Sequence, residues 1–356
     1  MTAVAVILIT LAHQGHWLSG RENAIHLQWL LDQPMPAATL NWELQLNRAK
    51  LGEGSIVFDA GAIDQLTTVQ IHCPAVRVRT QVKLNWQLVG RDDGKSISKG
   101  KLDIYLYPDN LLAGLAKRIG NRQLVIVDDK LPAMLAEHDV PHRRAKHLAT
   151  LAAGTDDLVI VGPDRIDDTP FIQQPLIGLA EGGASVCILR QADAATLAGF
   201  PVVRRDAAVA PTWRKRHSLV AAFDPSVITS WFDDVKVSGH DFHAVRLSAD
   251  APALEVVHWP YEVEHAEPTS VDALLLTQTR GRGRIVVCQL PLDNWSDDPR
   301  SQLWLTSTIN YLLSQPQPTL SPAERFRKSR DDSSQDVAPE PFRPRRQPAL
   351  YRGDSS

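Results

Sequence analysis

The segments Asp156-Asp-Leu-Val-Ile-Val-Gly-Pro-Asp164, Phe171-Ile-Gln-Gln-Pro-Leu-Ile-Gly-Leu179 and Ala184-Ser-Val-Cys-Ile-Leu-Arg-Gln191 decide the fold. Residues 158–161 form a short apolar run closed by Gly162 and Pro163, the pattern of a strand buried on both faces. Phe171, Ile172, Leu176, Ile177 and Leu179 lie along one stripe of a helix, with Gly182 and Gly183 as its stop. Residues 186–189 are the next buried strand. Strand, helix and strand in that order make a crossover unit, which winds right-handed and gathers the strand ends at one edge of an open α/β sheet. A site is expected there. That edge carries Gln191, Ala192 and Asp193, with no nucleophile elbow and no glycine pattern that would cradle a phosphate.

The same sheet extends in both directions along the chain. Leu124, Val125, Ile126 and Val127 read as another buried strand, and Asp128 and Asp129 follow it into the crevice where α/β proteins bind ligands. With Asp164 they form an acidic edge able to hold a cation or a sugar hydroxyl. Capping of the helix that begins near Pro132 is the simpler use of the first two. That helix carries Met134 and Leu135 and is read on toward Leu148 and Leu151. His138 and His142 stand four apart, as zinc ligands on a helix do, but Pro141 interrupts them and no carboxylate base completes the pattern. Farther on, Phe223, Ile228, Trp231 and Phe232 recur at helical intervals, and residues 244–247 and 254–257 suit short strands. A hairpin turns at residues 280–283 into a buried strand containing Cys288, and residues 303–313 close the unit as a helix.

Before residue 108 the period is two. Ile25, Leu27, Trp29 and Leu31, then Leu40, Trp42, Leu44 and Leu46, then Leu84, Trp86 and Leu88 each give a strand with one apolar face. Turn signals separate them, among them Arg91-Asp-Asp-Gly94, which suits a hairpin. About seven such strands in about a hundred residues make an immunoglobulin-like sandwich, with the tryptophans in phase with its leucines and therefore in its core. The apolar start, residues 3–12, lacks the basic lead and cleavage site of a secretory signal, is short for a membrane helix, and reads as a first strand.

Residue order then meets a known family. The Gly182-Gly183 turn into residues 184–189, His217-Ser-Leu, Gly281-Arg-Gly-Arg-Ile-Val-Val-Cys-Gln-Leu-Pro-Leu and Ile309-Asn-Tyr-Leu-Leu together resemble the class I glutamine amidotransferase-like domain. The nearest version is the one attached to glycoside hydrolase family 2 and β-galactosidase-like proteins, where an immunoglobulin-like domain ending in a Tyr-Pro precedes it. Here that junction is Gly100-Lys-Leu-Asp-Ile-Tyr-Leu-Tyr-Pro108, with Leu102 and Tyr105 where tryptophans are expected and Gly100 where asparagine is. The resemblance implies a flavodoxin-like α/β fold and a cysteine nucleophile with a histidine and an acid. Cys187 lies inside its strand, about four residues short of the turn where that nucleophile belongs, and burial disfavours its thiolate. His258 and Glu262 resemble that histidine and acid only at the wrong spacing. The carboxylate pair of a glycosidase belongs to a TIM barrel, and nothing here repeats eight strand-helix units.

The expected organisation is a multidomain β + α/β chain. It comprises an immunoglobulin-like β-sandwich over 1–109, a connector over 110–121, an inactive amidotransferase-like α/β domain over 122–315 and a disordered tail over 316–356, rich in Pro, Ser, Arg and Asp. Net charge is −3, which gives no electrostatic reason to expect nucleic acid or a membrane. Three widely spaced cysteines, Cys73, Cys187 and Cys288, read as buried thiols. No cofactor or metal pattern is present, and cytoplasmic is the default location. The expected function is a non-catalytic accessory of a glycoside hydrolase-like system, partnered by carbohydrate or by a glycoside hydrolase catalytic domain. Two alternatives stand beside it: a carbohydrate hydrolase using Asp128, Asp129 and Asp164, and a sugar-binding module stacking ligands on Trp213 or Trp259.

Overall fold

The computed structural model describes residues 7–29, 34–61, 67–148, 151, 154, 156–166, 173–206, 211–238, 241–248, 250–259, 262–264 and 267–314. The chain divides between Leu111 and Leu112 into two units, with the short segment Asp297–Pro299 grouped with the first. Strand residues outnumber helical ones, so the molecule is mostly β.

The first unit is a sandwich of two sheets. Strands β1 (Ile7–Leu11), β3 (Glu22–Trp29) and β6 (Thr67–His72) make one sheet in the order β1-β3-β6. Strands β2 (His16–Leu18), β4 (Ala38–Leu46), β5 (Ala49–Phe58), β7 (Thr80–Gly90) and β8 (Ser96–Tyr107) make the other in the order β2-β8-β7-β4-β5. Alternation decides what faces inward: Ile25, Leu27 and Trp29 from β3 meet Leu40, Leu44, Leu84 and Leu88 from β4 and β7 in one core. Each such side chain contributes about 1.5–3 kcal/mol on burial. The period-two reading holds, and the Arg91-Asp-Asp-Gly94 turn closes through a Gly90 N–H bond of 2.9 Å to the Lys95 carbonyl.

Trp42 and Trp86 pair directly across β4 and β7, on the core side but only partly buried. Opposite them on the flanking strands β5 and β8 stand Gly54 and Gly100. A Cβ on Gly54 would lie 2.6 Å from the Trp42 ring, and one on Gly100 would lie 2.7 Å from the Trp86 ring. Each indole therefore spreads over a neighbouring strand that only glycine leaves bare. This gives Gly54 and Gly100 a packing reason.

The second unit is built on a 12-stranded sheet. Strands β9 (Leu124–Val127), β10 (Arg143–Arg144), β11 (Leu158–Val161), β12 (Ser185–Ile188) and β20 (Gly283–Cys288) run parallel in the order β10-β9-β11-β12-β20. The sheet continues antiparallel through β19 (Glu267–Arg280), β16 (Phe242–Ser248), β14 (Phe200–Arg205) and β13 (Thr196–Leu197). Strands β15 (Thr212–Trp213), β17 (Ala253–His258) and β18 (Glu262–Glu264) branch off that path. Successive residues of the parallel strands serve two cores. Ile126, Ile160, Cys187 and Val286 face one side, packed by helices α1 (Leu115–Ile119), α2 (Leu131–Glu137), α4 (Pro225–Ser238) and α5 (Pro299–Leu313). Val127, Val161, Ile188 and Val287 face the other, covered by α3 (Gln174–Gly182). Burial on both faces explains why these strands are continuous apolar runs.

Two expectations need correction, and a third falls partly outside the described residues. The 110–121 segment is no connector, because Leu112, Leu115 and Ile119 are buried in the core of the second unit. The helix after β9 ends at Glu137 rather than running toward Leu151, and beyond Pro141 the chain adds β10 beside β9. The helix before β12 is described from Gln174, so Phe171 and Ile172 lie outside the described residues. Residues 3–6, Leu31 and the 316–356 tail also lie outside them.

Candidate functional site

Because β9, β11, β12 and β20 are parallel, their carboxyl ends deliver Asp128, Gly162, Gln191 and Gln289 to one edge. The chain leaves β9 toward β10 on one side and toward β11 on the other, so the order reverses between β9 and β11. In open α/β sheets that reversal opens the crevice where ligands bind.

At this edge the polar side chains of Asp128 and Gln191 are bonded within the chain. Asp128 is buried, and its Oδ1 accepts the N–H groups of Lys130 at 2.7 Å and Leu131 at 2.5 Å. The Leu131 N–H is an orphan donor at the start of α2, and Asp128 satisfies it from two residues before the helix boundary at Lys130. Its other oxygen lies against Gly162, where a Cβ would sit 2.0 Å from Oδ2. Asp129 is exposed and bound by two guanidinium groups, that of Arg144 at 2.5 Å and that of Arg165. Arg165, then Arg144, hold its carboxyl below the usual range. Asp164 accepts the Ala192 N–H at 2.9 Å and lies 3.6 Å from the Arg190 guanidinium. Each of the three carboxylates, Asp128, Asp129 and Asp164, already has cationic or amide partners.

The bend after Leu189 belongs to Gln191. Its side chain is fully buried and uses both ends. Oε1 accepts the N–H groups of Arg165 and Ile166, each at 2.7 Å. Nε2 donates to the carbonyls of Gly162 at 2.8 Å and Leu189 at 2.7 Å. Its backbone N–H donates to Gln289 Oε1 at 2.8 Å. A glutamine thus staples the loops after β11, β12 and β20 where a nucleophile would stand. Composition around Gln191 gave no cue to this, since its partners are mostly backbone groups distant in sequence.

Cys187 lies inside β12 with no exposed surface, and burial, then the nearby Cys288 thiol, push its pKa well above the usual thiol value. Cys73 and Cys288 are also buried free thiols, with Cys73 pushed up to about 12 by burial. His258 ends β17, which is separated from β12 by β19 and β20. Three strand spacings place it roughly 14 Å from Cys187's strand, so the two form no dyad. Its imidazole is buried and held low by desolvation, with Nδ1 2.6 Å from the Trp259 carbonyl oxygen. Glu262 lies on β18, and its side chain is outside the described residues. A buried pair that sequence reading missed, Arg214 with Glu255, stands beside His258 instead.

Trp259 is a correction. Expected to face solvent, it is 5% exposed and meets Phe242 edge-on at 5.5 Å. Trp213 is half-buried against the same core, paired with Val257. His138 is the residue just after α2, and His142 turns back to the Val140 carbonyl at 2.9 Å. Among the described residues no three His, Cys, Asp or Glu side chains group to hold a metal ion. No helix among them is long and apolar enough to cross a membrane.

No protein-family profile matches the chain, and no curated protein does. Among solved structures, the CARDB domain of a Pyrococcus furiosus protein, determined with di-metal ions, matches at 7% identity over 30% of this chain and 98% of its own, with TM-score 0.22. A Niemann-Pick type C2 protein from Japanese carpenter ant matches at 8% identity over 30% and 95%, with TM-score 0.21. A candidate beta-galactosidase from Bacteroides fragilis matches at 15% identity over 52% of this chain and 28% of its own, with TM-score 0.19. At these scores the likenesses carry no argument about fold or function.

Proposed function

We propose that this chain is a non-catalytic accessory of a glycoside hydrolase-like system, a sandwich joined to an inactive amidotransferase-like α/β unit. The sandwich order β1-β3-β6 against β2-β8-β7-β4-β5 supports an immunoglobulin-like assignment. Numbering the parallel strands by chain order gives 2-1-3-4-5, which supports a flavodoxin-like unit. The observation that carries the inactive reading is Gln191, whose amide is fully engaged at the bend where a nucleophile would have to be exposed. A glycoside hydrolase catalytic domain or a carbohydrate is the partner class this reading assigns.

The test is turnover by the purified full chain. Glutamine and aryl glycosides are expected to remain intact, and iodoacetamide is expected to leave native Cys187 unmodified. Glutamine hydrolysis abolished by Cys187→Ala would overturn the inactive reading. Divalent-metal or sugar heats in calorimetry, abolished by Asp129→Asn, would replace it with a hydrolase or binding site at the acidic edge.

A further inference from the structure

We infer that Arg190, Arg204 and His243, with Asp164 and Asp193 beside them, form a binding site for a uronic acid sugar in the second unit. Arg204 on β14 stands directly opposite His243 on β16, so the two side chains share one face of the sheet. The pair before them on that face is Val202 and Val245, with Val245 in the core on the α3 side and Val202 packed against it. Two residues on, the same face leaves that core, and there His243 is half-buried and Arg204 exposed. The Val202 N–H also donates to the Ala195 carbonyl at 2.8 Å, which brings residues 193–195 along the other side of β14. Asp193 follows directly on the bend where Asp164 accepts the Ala192 N–H at 2.9 Å and lies 3.6 Å from the Arg190 guanidinium.

Bonding capacity is left over in this cluster, unlike at Asp128 and Asp129. Among the described residues the side chains of Arg204, Asp193 and His243 form no hydrogen bond or ion pair. Arg190 Nε is buried without a partner, and a buried donor left unpaired calls for a ligand or a water. Burial first, then Arg204 and Arg190, hold the His243 pKa below its ordinary value against the opposing pull of Asp164 and Asp193, so the groups act on one another. Two guanidinium groups select an anion, and a planar carboxylate matches their donors. Two carboxylates beside them repel a dianion such as a phosphate monoester more than a monoanion, and they accept hydrogen bonds from hydroxyl groups. A uronate carries a single carboxylate and a ring of hydroxyls, which meets both demands. The choice of a sugar rests on the carbohydrate partner proposed above, whereas the anion-holding cluster rests on the geometry of β14, β16 and the bend after β12.

Isothermal titration of the full chain with glucuronate and galacturonate, with acetate and glucose as controls, tests it. The uronates should bind, and both controls should bind roughly tenfold more weakly or not at all. Arg204→Gln should weaken uronate binding about ten- to a hundredfold. Its side chain is exposed, so unchanged circular dichroism is expected. A bound carboxylate favours the charged imidazole, so affinity should rise as pH falls from about 7.5 to about 5.5, and His243→Gln should flatten that rise. No uronate heat, uronate heat that survives Arg204→Gln, or acetate bound as tightly as the uronates overturns the proposal. If a neutral sugar alone binds and Arg204→Gln leaves its heat unchanged, this site falls while the carbohydrate reading above stands.

Discussion

Adding a single methyl group at Gly162 tests whether the crevice between β9 and β11 is closed by Asp128. The new Cβ would fall 2.0 Å from Asp128 Oδ2 and 2.7 Å from its Cγ and Cβ, well inside van der Waals contact. Asp128 is buried and must move by more than an ångström, which breaks its bonds to the Lys130 and Leu131 N–H groups. Loss of those bonds costs about 0.5–2 kcal/mol. Crowding of a packed site costs about 1–3 kcal/mol. Removing a glycine from the unfolded chain returns about 0.4–1 kcal/mol. The net for Gly162→Ala is about 2.5 kcal/mol. In an Asp128→Ala background those bonds are already gone and the closest contact has vanished, leaving only the Cβ at 2.7 Å, so the same change should cost about 1 kcal/mol or less. Urea unfolding followed by alkylation of Cys187 and Cys288 reports the second unit alone, since both thiols are buried in its core, while Cys73 reports the sandwich. A coupling energy below about 0.5 kcal/mol would refute the contact, and with it the closed crevice.

Burial pushes the Asp272 carboxyl up, but bonds from Arg246 and Arg205 outweigh it and hold the group below its usual range. A depressed carboxylate stabilises fully above its unfolded pKa of about 3.9 and loses that contribution as pH falls through the folded value. The second unit should therefore weaken below about pH 4, and Asp272→Asn should cost about 3 kcal/mol at pH 7 and flatten that acid limb in urea titrations. His258 is depressed by burial, so the unfolded chain takes up the proton first and stability falls as pH drops below about 6.5. His243, also lowered by burial, contributes a slope of the same sign, so a His258→Gln chain should show a shallower slope between pH 7 and 5. In the sandwich, Gly100→Ala should cost about 1–3 kcal/mol, read by Cys73 alkylation in urea, because the Trp86 ring occupies the space of the new Cβ.

What sequence could reveal depended on how local the cause was. Apolar runs such as Leu124–Val127 and Leu158–Val161 announced strands buried on both faces, because each residue has a core to enter whichever way it points. Alternation through Leu40, Trp42 and Leu44 announced a one-faced sheet for the same reason. The acidic edge was legible as residues after strands, yet its state was not. Asp129 is neutralised by Arg144, fifteen positions away, and Arg165, thirty-six away. Neither distance leaves a period or a motif behind. Of the antiparallel extension beyond β20, the hairpin was legible and β16 and β17 read as short strands, whereas β14 was not, since β14, β16 and β19 pair across gaps that propensity does not encode. Trp259 misled because an indole beside Pro and Tyr in sequence is indistinguishable from a surface one until Phe242 is packed against it.

At the Gln191 loop, burial and hydrogen bonding together decide reactivity. A nucleophile needs an exposed side chain on a sharp turn, a base within hydrogen-bond reach and a space beside them for the reacting atom. Cys187 points into the core four residues before Gln191, and His258 is buried three strands away. Restoring one member would not restore the set. Replacing Gln191 by cysteine would release the Arg165 and Ile166 N–H groups and the Gly162 and Leu189 carbonyls together, leaving buried polar groups without partners. Each such orphan costs about 1–3 kcal/mol, so the loop would open before it could hold a reactive thiol. The same hydrogen bonds that keep the strand ends together are thus the ones a reactive side chain at this position would have to forgo.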